Sequence, residues 1–167
     1  MSLTSATPSR RNDVIALVLL LAVSFAAGGL GSLATAPNIP AWYAGLAKPW
    51  FNPPNAVFPI VWSALYALMA VAAWIAWRKP VANMAARWRR LFPFFVQLLL
   101  NTVWSFAFFG SHSPLAGLVV VILLDAAVAW TILVFAGTSR AAAALLLPYL
   151  AWALFATLLN AAILALN

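Results

Sequence analysis

Several kinds of chemistry are excluded by what this chain lacks. It has no cysteine, which excludes disulfides, thiol catalysis and iron–sulfur clusters. It has no glutamate, and its remaining acidic and imidazole groups are Asp13, Asp125 and His112. A conventional metal site or a mechanism with two carboxylates would need more such groups. We therefore predict no metal site and no required cofactor.

Charge is also scarce, whereas apolar residues are abundant. Only 7% of the 167 residues are charged and 66% are hydrophobic. So few charges cannot cover the surface of a water-soluble domain. The net charge of +7 would suggest nucleic acid as a partner in a soluble protein. Here the basic residues lie between apolar runs, where they set topology and meet lipid headgroups, so the expected partner is a lipid bilayer and not nucleic acid.

Five apolar runs are long enough to cross a bilayer, which takes about 20 helical residues. We predict an all-α membrane protein, a bundle of five transmembrane helices with a long structured loop between the first two helices. An N-terminal tail at 1–13 precedes a single domain at 14–167, with spans at about 14–33, 57–77, 91–110, 115–136 and 141–166. The runs lack the alternation of barrel strands, and no internal repeat suggests an inverted-repeat transporter.

The basic residues predict the orientation of this multi-pass protein. Eight of the nine would lie on the side of the N-terminus, and only Lys48 on the other side. The positive-inside rule then places the N-terminus inside and the long first loop outside. An export signal is an alternative, since Arg10 and Arg11 precede an apolar run and Ala34-Thr35-Ala36 resembles a cleavage site. The run is long for a signal peptide, and Asp13 interrupts its start.

The segment KPWFNPPNAVFPIVW, residues 48–62, combines prolines with aromatic residues. Proline fixes φ and restrains the preceding residue, so Pro49, Pro53 and Pro54 predict a stiff, extended loop. Pro40 is expected to open a short helical turn at 41–46, and Pro59 fits the first turn of the second span. The aromatic residues here suit either a belt at the headgroup level or a fixed lid over a cavity.

Polar side chains inside the spans fall on shared helical faces. The third span carries Gln97, Asn101, Trp104, Ser105 and Phe108 on one face. Matching faces are expected on the fifth span around Trp152 and on the second around Trp62, while the first span offers small residues at steps of four. Such faces either tie helices together or enclose a flat apolar ligand.

Two titratable residues are left outside these faces. Asp125 lies mid-span in the fourth helix, where a carboxylate is either functional or a hydrogen-bonded interior group. No basic residue lies in a span to pair with it. His112 falls in a short turn between serines and is predicted to be a solvated loop residue.

Three segments resemble the signatures of the TspO/MBR family, the translocator proteins also called peripheral-type benzodiazepine receptors. They read WYAGLAKPWFNPPNAVFPIVWSALY, QLLLNTVWSFAFFG and PYLAWALFATLLNAAILALN. The resemblance implies a bacterial-type member, commonly a homodimer, with a ligand cavity opening toward the first loop. It departs from the family pattern at Phe51, where tryptophan is usual, and it lacks the tyrosine and basic residue of the vertebrate cholesterol motif.

The resemblance also implies a function and a set of site residues. Family members bind porphyrins such as protoporphyrin IX, heme-related tetrapyrroles and other flat apolar ligands, for sensing, sequestration or transport. An alternative is a light- or oxygen-dependent porphyrin-degrading enzyme, with Trp62 and Trp152 as the candidate catalytic residues. Matched by motif or by helical face, the expected ligand-binding residues are Tyr43, Pro53, Phe58, Trp62, Tyr66, Asn101, Trp104, Ser105, Phe108, Trp152, Ala156 and Leu159.

Overall fold

The computed structural model describes residues 10–167, so most of the predicted tail at 1–13 lies outside the described residues. Within that range the chain is helical and contains no β-strand. Five stretches are long and apolar enough to cross a membrane, which confirms the predicted fold class. The helices are α1 (Arg10–Asn38), α2 (Val57–Arg78), α3 (Met84–Ser105), α4 (Pro114–Ala136), α5 (Arg140–Ala144) and α6 (Leu147–Leu166), with π-helical segments at Ile39–Tyr43 and Phe106–Gly110.

Side-chain caps and prolines start the later helices. Asn83, Ser113 and Ser139 accept hydrogen bonds from the backbone N–H three residues ahead, as N-cap residues do. Pro114 occupies the first turn of α4, where a missing N–H is tolerated. A brief break at 145–146 separates α5 from α6, and the two together form the fifth span, Arg140–Leu166.

The first span is longer than the predicted 14–33. It begins at Arg10 and continues through Pro37 into the π-helical segment that ends at Tyr43. The turn expected at 41–46 is helical as far as residue 45, and Pro40 lies at its start as predicted. It continues directly from α1 and is not a separate element. The segment Ala34–Ala36 lies inside α1.

The helices form a ring. α1 packs between α2 and α3, α4 joins α3 to α6, and the short α5 packs against α2 and α4. The backbones of α2 and α6 are farther apart than those of the other neighbouring helices, and aromatic side chains fill the space between them. Small residues of α2 allow close packing at the opposite end, where Ala72, Ala73 and Ala76 are fully buried. The helices are therefore closely packed at this end and more widely spaced at the end that carries the first loop.

Candidate functional site

A cavity of about 550 Å³ occupies the loop end of the bundle. Its walls come from α1, α2, α3, α6, both π-helical segments and Asn55 of the first loop. The volume is within the range of roughly 300–1,000 Å³ that ligand pockets occupy. The lining is mainly aromatic and aliphatic, with a few amides and hydroxyls, which is the composition of a pocket for an apolar ligand.

The structure brings all but one of the residues predicted from sequence to this cavity. The exception is Pro53, whose carbonyl accepts a hydrogen bond from Asn52 Nδ2. Asn55, two residues later, lines the cavity. The predicted residues that line the cavity are Tyr43, Phe58, Trp62, Tyr66, Asn101, Trp104, Ser105, Phe108, Trp152, Ala156 and Leu159.

A chain of hydrogen bonds connects three helices beside the cavity. Tyr66 of α2 donates its hydroxyl proton to Asn101 Oδ1 at 2.6 Å. Asn101 Nδ2 in turn donates to the Tyr149 hydroxyl of α6 at 3.3 Å. All three side chains are buried, where an unpaired polar group would be costly. The chain fixes the orientation of both phenol rings while leaving Tyr66 and Asn101 in the cavity lining.

A second amide organises the wall between α3, α4 and α6. Asn160 Nδ2 donates to the Pro114 carbonyl at 2.7 Å, and Asn160 Oδ1 accepts from Trp104 Nε1 at 3.4 Å. The Trp104 ring is thereby held nearly parallel to that of Phe108, with centroids 5.7 Å apart. Gly117 permits this packing, because a Cβ there would lie 2.7 Å from both Asn160 and Phe108.

The π-helical segments place further rings at the cavity. The wide turn at Phe106–Gly110 buries both Phe108 and Phe109, whose centroids are 4.8 Å apart. Tyr43, at the end of the other π-helical segment, packs against both rings. Sequence periodicity missed Phe109, because a π turn shifts the face on which the following residue lies.

Sequence reasoning also underestimated α1, which supplies seven lining residues in or near its second half: Phe25, Gly28, Gly29, Gly31, Ser32, Thr35 and Ala36. The Tyr66 ring occupies the space that a Cβ on Gly28 would need, and Ser105 Oγ would lie 2.8 Å from a Cβ on Gly31. The small residues at steps of four were the available signal. Gly29 and Ser32 line the cavity and are also exposed, as are Pro59 and Ser63 of α2, so the cavity opens laterally between α1 and α2.

The two tryptophans singled out from sequence lie in different ring clusters. Trp62 packs against Tyr66 at 5.7 Å and against Tyr149 at 6.1 Å between centroids. Trp152 contacts Phe58 and Phe155, at 5.9 Å and 5.3 Å. Its buried indole N–H has no acceptor among the described residues. A ligand oxygen or nitrogen could therefore accept from Trp152 without displacing a protein hydrogen bond.

The first loop is folded over the cavity end in two turns, at Trp50–Phe51 and Asn55–Ala56, and not in the extended path expected from its prolines. Backbone bonds from Asn52 to Pro49 and from Val57 to Pro54 close these turns. The loop is attached at two points. The Tyr43 hydroxyl donates to Asn52 Oδ1 at 2.8 Å, and the Asn167 side chain bonds both the N–H and the carbonyl of Ala47.

The aromatic residues in and just before the first loop occupy two environments, which correspond to the belt and the lid predicted from sequence. Trp50 is 96% exposed and has the position of a belt residue. Trp42, Tyr43 and Phe51 instead pack inside, around Phe108, Phe109 and Phe155. Phe51 contacts Phe155 at 6.3 Å between centroids and does not line the cavity.

Three polar residues discussed from sequence lie away from the cavity. Asp125 Oδ2 accepts from the Thr157 hydroxyl at 2.7 Å, which ties α4 to α6. Gln97 is buried deeper in the bundle, and its amide has no partner among the described residues. His112 is exposed as predicted, but it is held in place: Nε2 lies 2.7 Å from Asn38 Oδ1, and the ring stacks on Trp42.

The sequence matches the TspO/MBR family over residues 17–166, which covers the whole bundle except the first seven residues of α1. The chain is a member of the TspO/MBR family. It is 45% identical to the tryptophan-rich protein TspO of Archaeoglobus fulgidus, across 93% of this chain and 99% of that protein. It is 40% identical to the tryptophan-rich sensory protein of Cereibacter sphaeroides, across 75% and 77%. It is 38% identical to the human translocator protein, across 71% and 70%.

Membership confirms the resemblance seen in the three signature segments. In this TspO/MBR protein those segments supply the first loop, the lining residues of α2, α3 and α6, and most of the polar side chains of the cavity. Together with the five spans, membership makes the chain a multi-pass membrane protein.

Proposed function

We propose that the cavity binds porphyrins or related flat, apolar tetrapyrroles, and that the protein senses, sequesters or transports them. The observation that carries the proposal is the composition of the cavity: rings on several walls, with a few polar groups that include Asn101, Asn160 and the Trp152 N–H. A planar macrocycle offers its faces to the rings and its polar edge to these groups. The names of two relatives, a sensory protein and a translocator protein, fit a role in sensing or transport.

The binding free energy available from apolar contacts is adequate for this role. A ligand of about 40 non-hydrogen atoms can gain about 0.3 kcal/mol per atom in a good pocket. Micromolar binding requires about 8 kcal/mol, so shape and apolar contact suffice without a covalent bond or a metal. The lateral opening between α1 and α2 offers a route for an apolar ligand directly from the lipid.

Titration of the purified protein with protoporphyrin IX, followed by tryptophan fluorescence, tests the proposal. The decisive variant is Ala156→Leu, which adds volume inside the cavity lining. Ala151→Leu is the matched control, because Ala151 is exposed on the same helix and outside the lining. We expect saturable quenching in the parent and in Ala151→Leu, and at least about tenfold weaker binding in Ala156→Leu, because extra volume in a packed site forces strain.

Two results would contradict the proposal. Non-saturable quenching in the parent would show that the porphyrin only partitions into the detergent or lipid. Equal affinity in Ala156→Leu and Ala151→Leu would place the ligand outside this cavity.

A second candidate, porphyrin degradation driven by light or oxygen, has one observation in its favour. Trp62 and Trp152 both line the cavity, so an oxidisable indole would lie on two sides of a bound macrocycle. Bleaching of the bound ligand separates the two candidates, as set out in the Discussion.

A further inference from the structure

An arginine at the end of the bundle opposite the cavity is buried without a neutralising partner. Arg87 lies in the first turn of α3 and is only 8% exposed. Its guanidinium carbon is 4.9 Å from the centre of the Trp77 ring, and its Nε is buried without an acceptor among the described residues. Since a buried charge is normally paired, this arrangement calls for an anion.

The carboxylates of the chain are engaged elsewhere. Asp13 forms an ion pair with Arg78 at 3.0 Å, and Asp125 bonds to Thr157 in the middle of the fourth span. Arg90 follows Arg87 by three residues and therefore shares its helical face. Arg90 donates to the carbonyls of Ala76, Lys79 and Pro80 at the C-terminal end of α2, which carry only partial negative charge. Two adjacent cations thus lie at the α2–α3 hairpin with no carboxylate paired to them among the described residues.

The surroundings indicate the source of the anion. This end of the bundle carries eight of the nine basic residues, at the ends of α1, α2, α3 and α5. Trp88 and Phe92 are exposed around Arg87 on α3 and offer an apolar surface next to the cation. The N-terminus of α3 adds partial positive charge. A phosphate attached to acyl chains matches both the cations and the apolar surface.

We propose that Arg87, supported by Trp77 and Arg90, binds the phosphate group of an anionic lipid in the leaflet at this face. Arginine suits the role because its planar fork pairs with two phosphate oxygens while its face stacks on an aromatic ring. The site is separate from the cavity: Arg87 precedes Asn101 by fourteen positions on the same helix, which is about 21 Å. The proposal is therefore independent of the function proposed for the cavity.

The test measures the thermal stability of the whole chain in a neutral detergent, with phosphatidylglycerol, phosphatidylcholine or inorganic phosphate added. Arg87→Gln is the decisive variant. Arg89→Gln is the matched control, since it removes the same charge from an exposed position two residues away. We expect phosphatidylglycerol to raise the melting temperature of the parent and of Arg89→Gln, with apparent affinity lowered about tenfold or more in Arg87→Gln. Phosphatidylcholine should have little effect.

Two outcomes would contradict the proposal, either its binding site or the lipid as its ligand. Equal responses in Arg87→Gln and Arg89→Gln would show only diffuse attraction between the basic face and anionic lipid. A full response to inorganic phosphate alone would make the ligand a free anion and overturn the lipid assignment. If Arg87→Gln does not fold, Arg87→Lys takes its place, because it keeps the charge and loses the planar fork. Native mass spectrometry should then show fewer retained phosphatidylglycerol molecules than in the parent.

Discussion

The hydroxyl of Tyr66 donates to Oδ1 of Asn101 at 2.6 Å, although the residues lie on different helices. This bond, extended by Asn101 to Tyr149, ties α2, α3 and α6 together where the backbones of α2 and α6 are far apart. The same side chains line the cavity or support its lining. The polar groups that hold this end of the bundle together are therefore also the groups that a ligand would meet.

Replacing Asn101 by alanine should destabilise the bundle. The change leaves two buried tyrosine hydroxyls without their partner, and each unsatisfied group costs about 1–3 kcal/mol. We expect the melting temperature in detergent, followed by circular dichroism, to fall by at least about 4 °C. Leu99→Ala, at an exposed position of the same helix, is the control and should change it little. A parent-like melting temperature for Asn101→Ala would contradict the role given to this amide.

Gly28 and its neighbour Gly29 provide a matched pair on α1. The Tyr66 ring occupies the space beside Gly28, whereas nothing lies within 4 Å of a Cβ built on Gly29. Gly28→Ala should push α1 away from α2 and cost about 1–3 kcal/mol. Gly29→Ala should be neutral or stabilising by up to about 1 kcal/mol, since alanine favours helix. Thermal unfolding of both variants checks the order, and equal behaviour would show that the α1–α2 spacing is not fixed by Gly28.

The Asn167 side chain should control the mobility of the first loop. It makes two hydrogen bonds to the backbone of Ala47, with donor–acceptor distances of 3.0 Å each. Asn167→Ala removes both, and at about 1 kcal/mol per bond we expect roughly thirtyfold faster amide hydrogen exchange around residues 44–56. Leu166→Ala, an exposed neighbour, should leave exchange unchanged. If exchange in the loop is the same in both variants, the tie at Ala47 does not hold the loop.

Illumination of the protoporphyrin complex separates binding from degradation. Trp62→Phe keeps a ring against Tyr66 and Tyr149 but removes the more easily oxidised indole. If the cavity only binds its ligand, absorbance of bound porphyrin should fade at the same rate in the parent and in Trp62→Phe. Clearly slower fading in Trp62→Phe, at equal ligand occupancy and oxygen concentration, would favour the degrading enzyme instead.

Much of this protein could be predicted from the sequence because membrane crossing is a local property. Hydropathy and length defined five spans, since each must satisfy its backbone hydrogen bonds within its own helix. Helical periodicity placed Asn101, Trp104 and Ser105 on one face, because side chains four residues apart recur on one side of a regular helix. The motif resemblance then named most of the remaining lining residues.

Tertiary structure decided what depends on how helices approach one another. Only the packed bundle shows that Gly28 and Gly31 leave room for Tyr66 and Ser105, and that Asn55 rather than Pro53 faces the cavity. The π turn at Phe106–Gly110 brings Phe109 to the cavity beside Phe108, and the regular spacing that predicts Phe108 does not predict Phe109. The sequence by itself determined a five-helix membrane protein with inward polar faces. The shape of its cavity, and the burial of Arg87 without a paired carboxylate among the described residues, follow from contacts between residues that are distant in the chain.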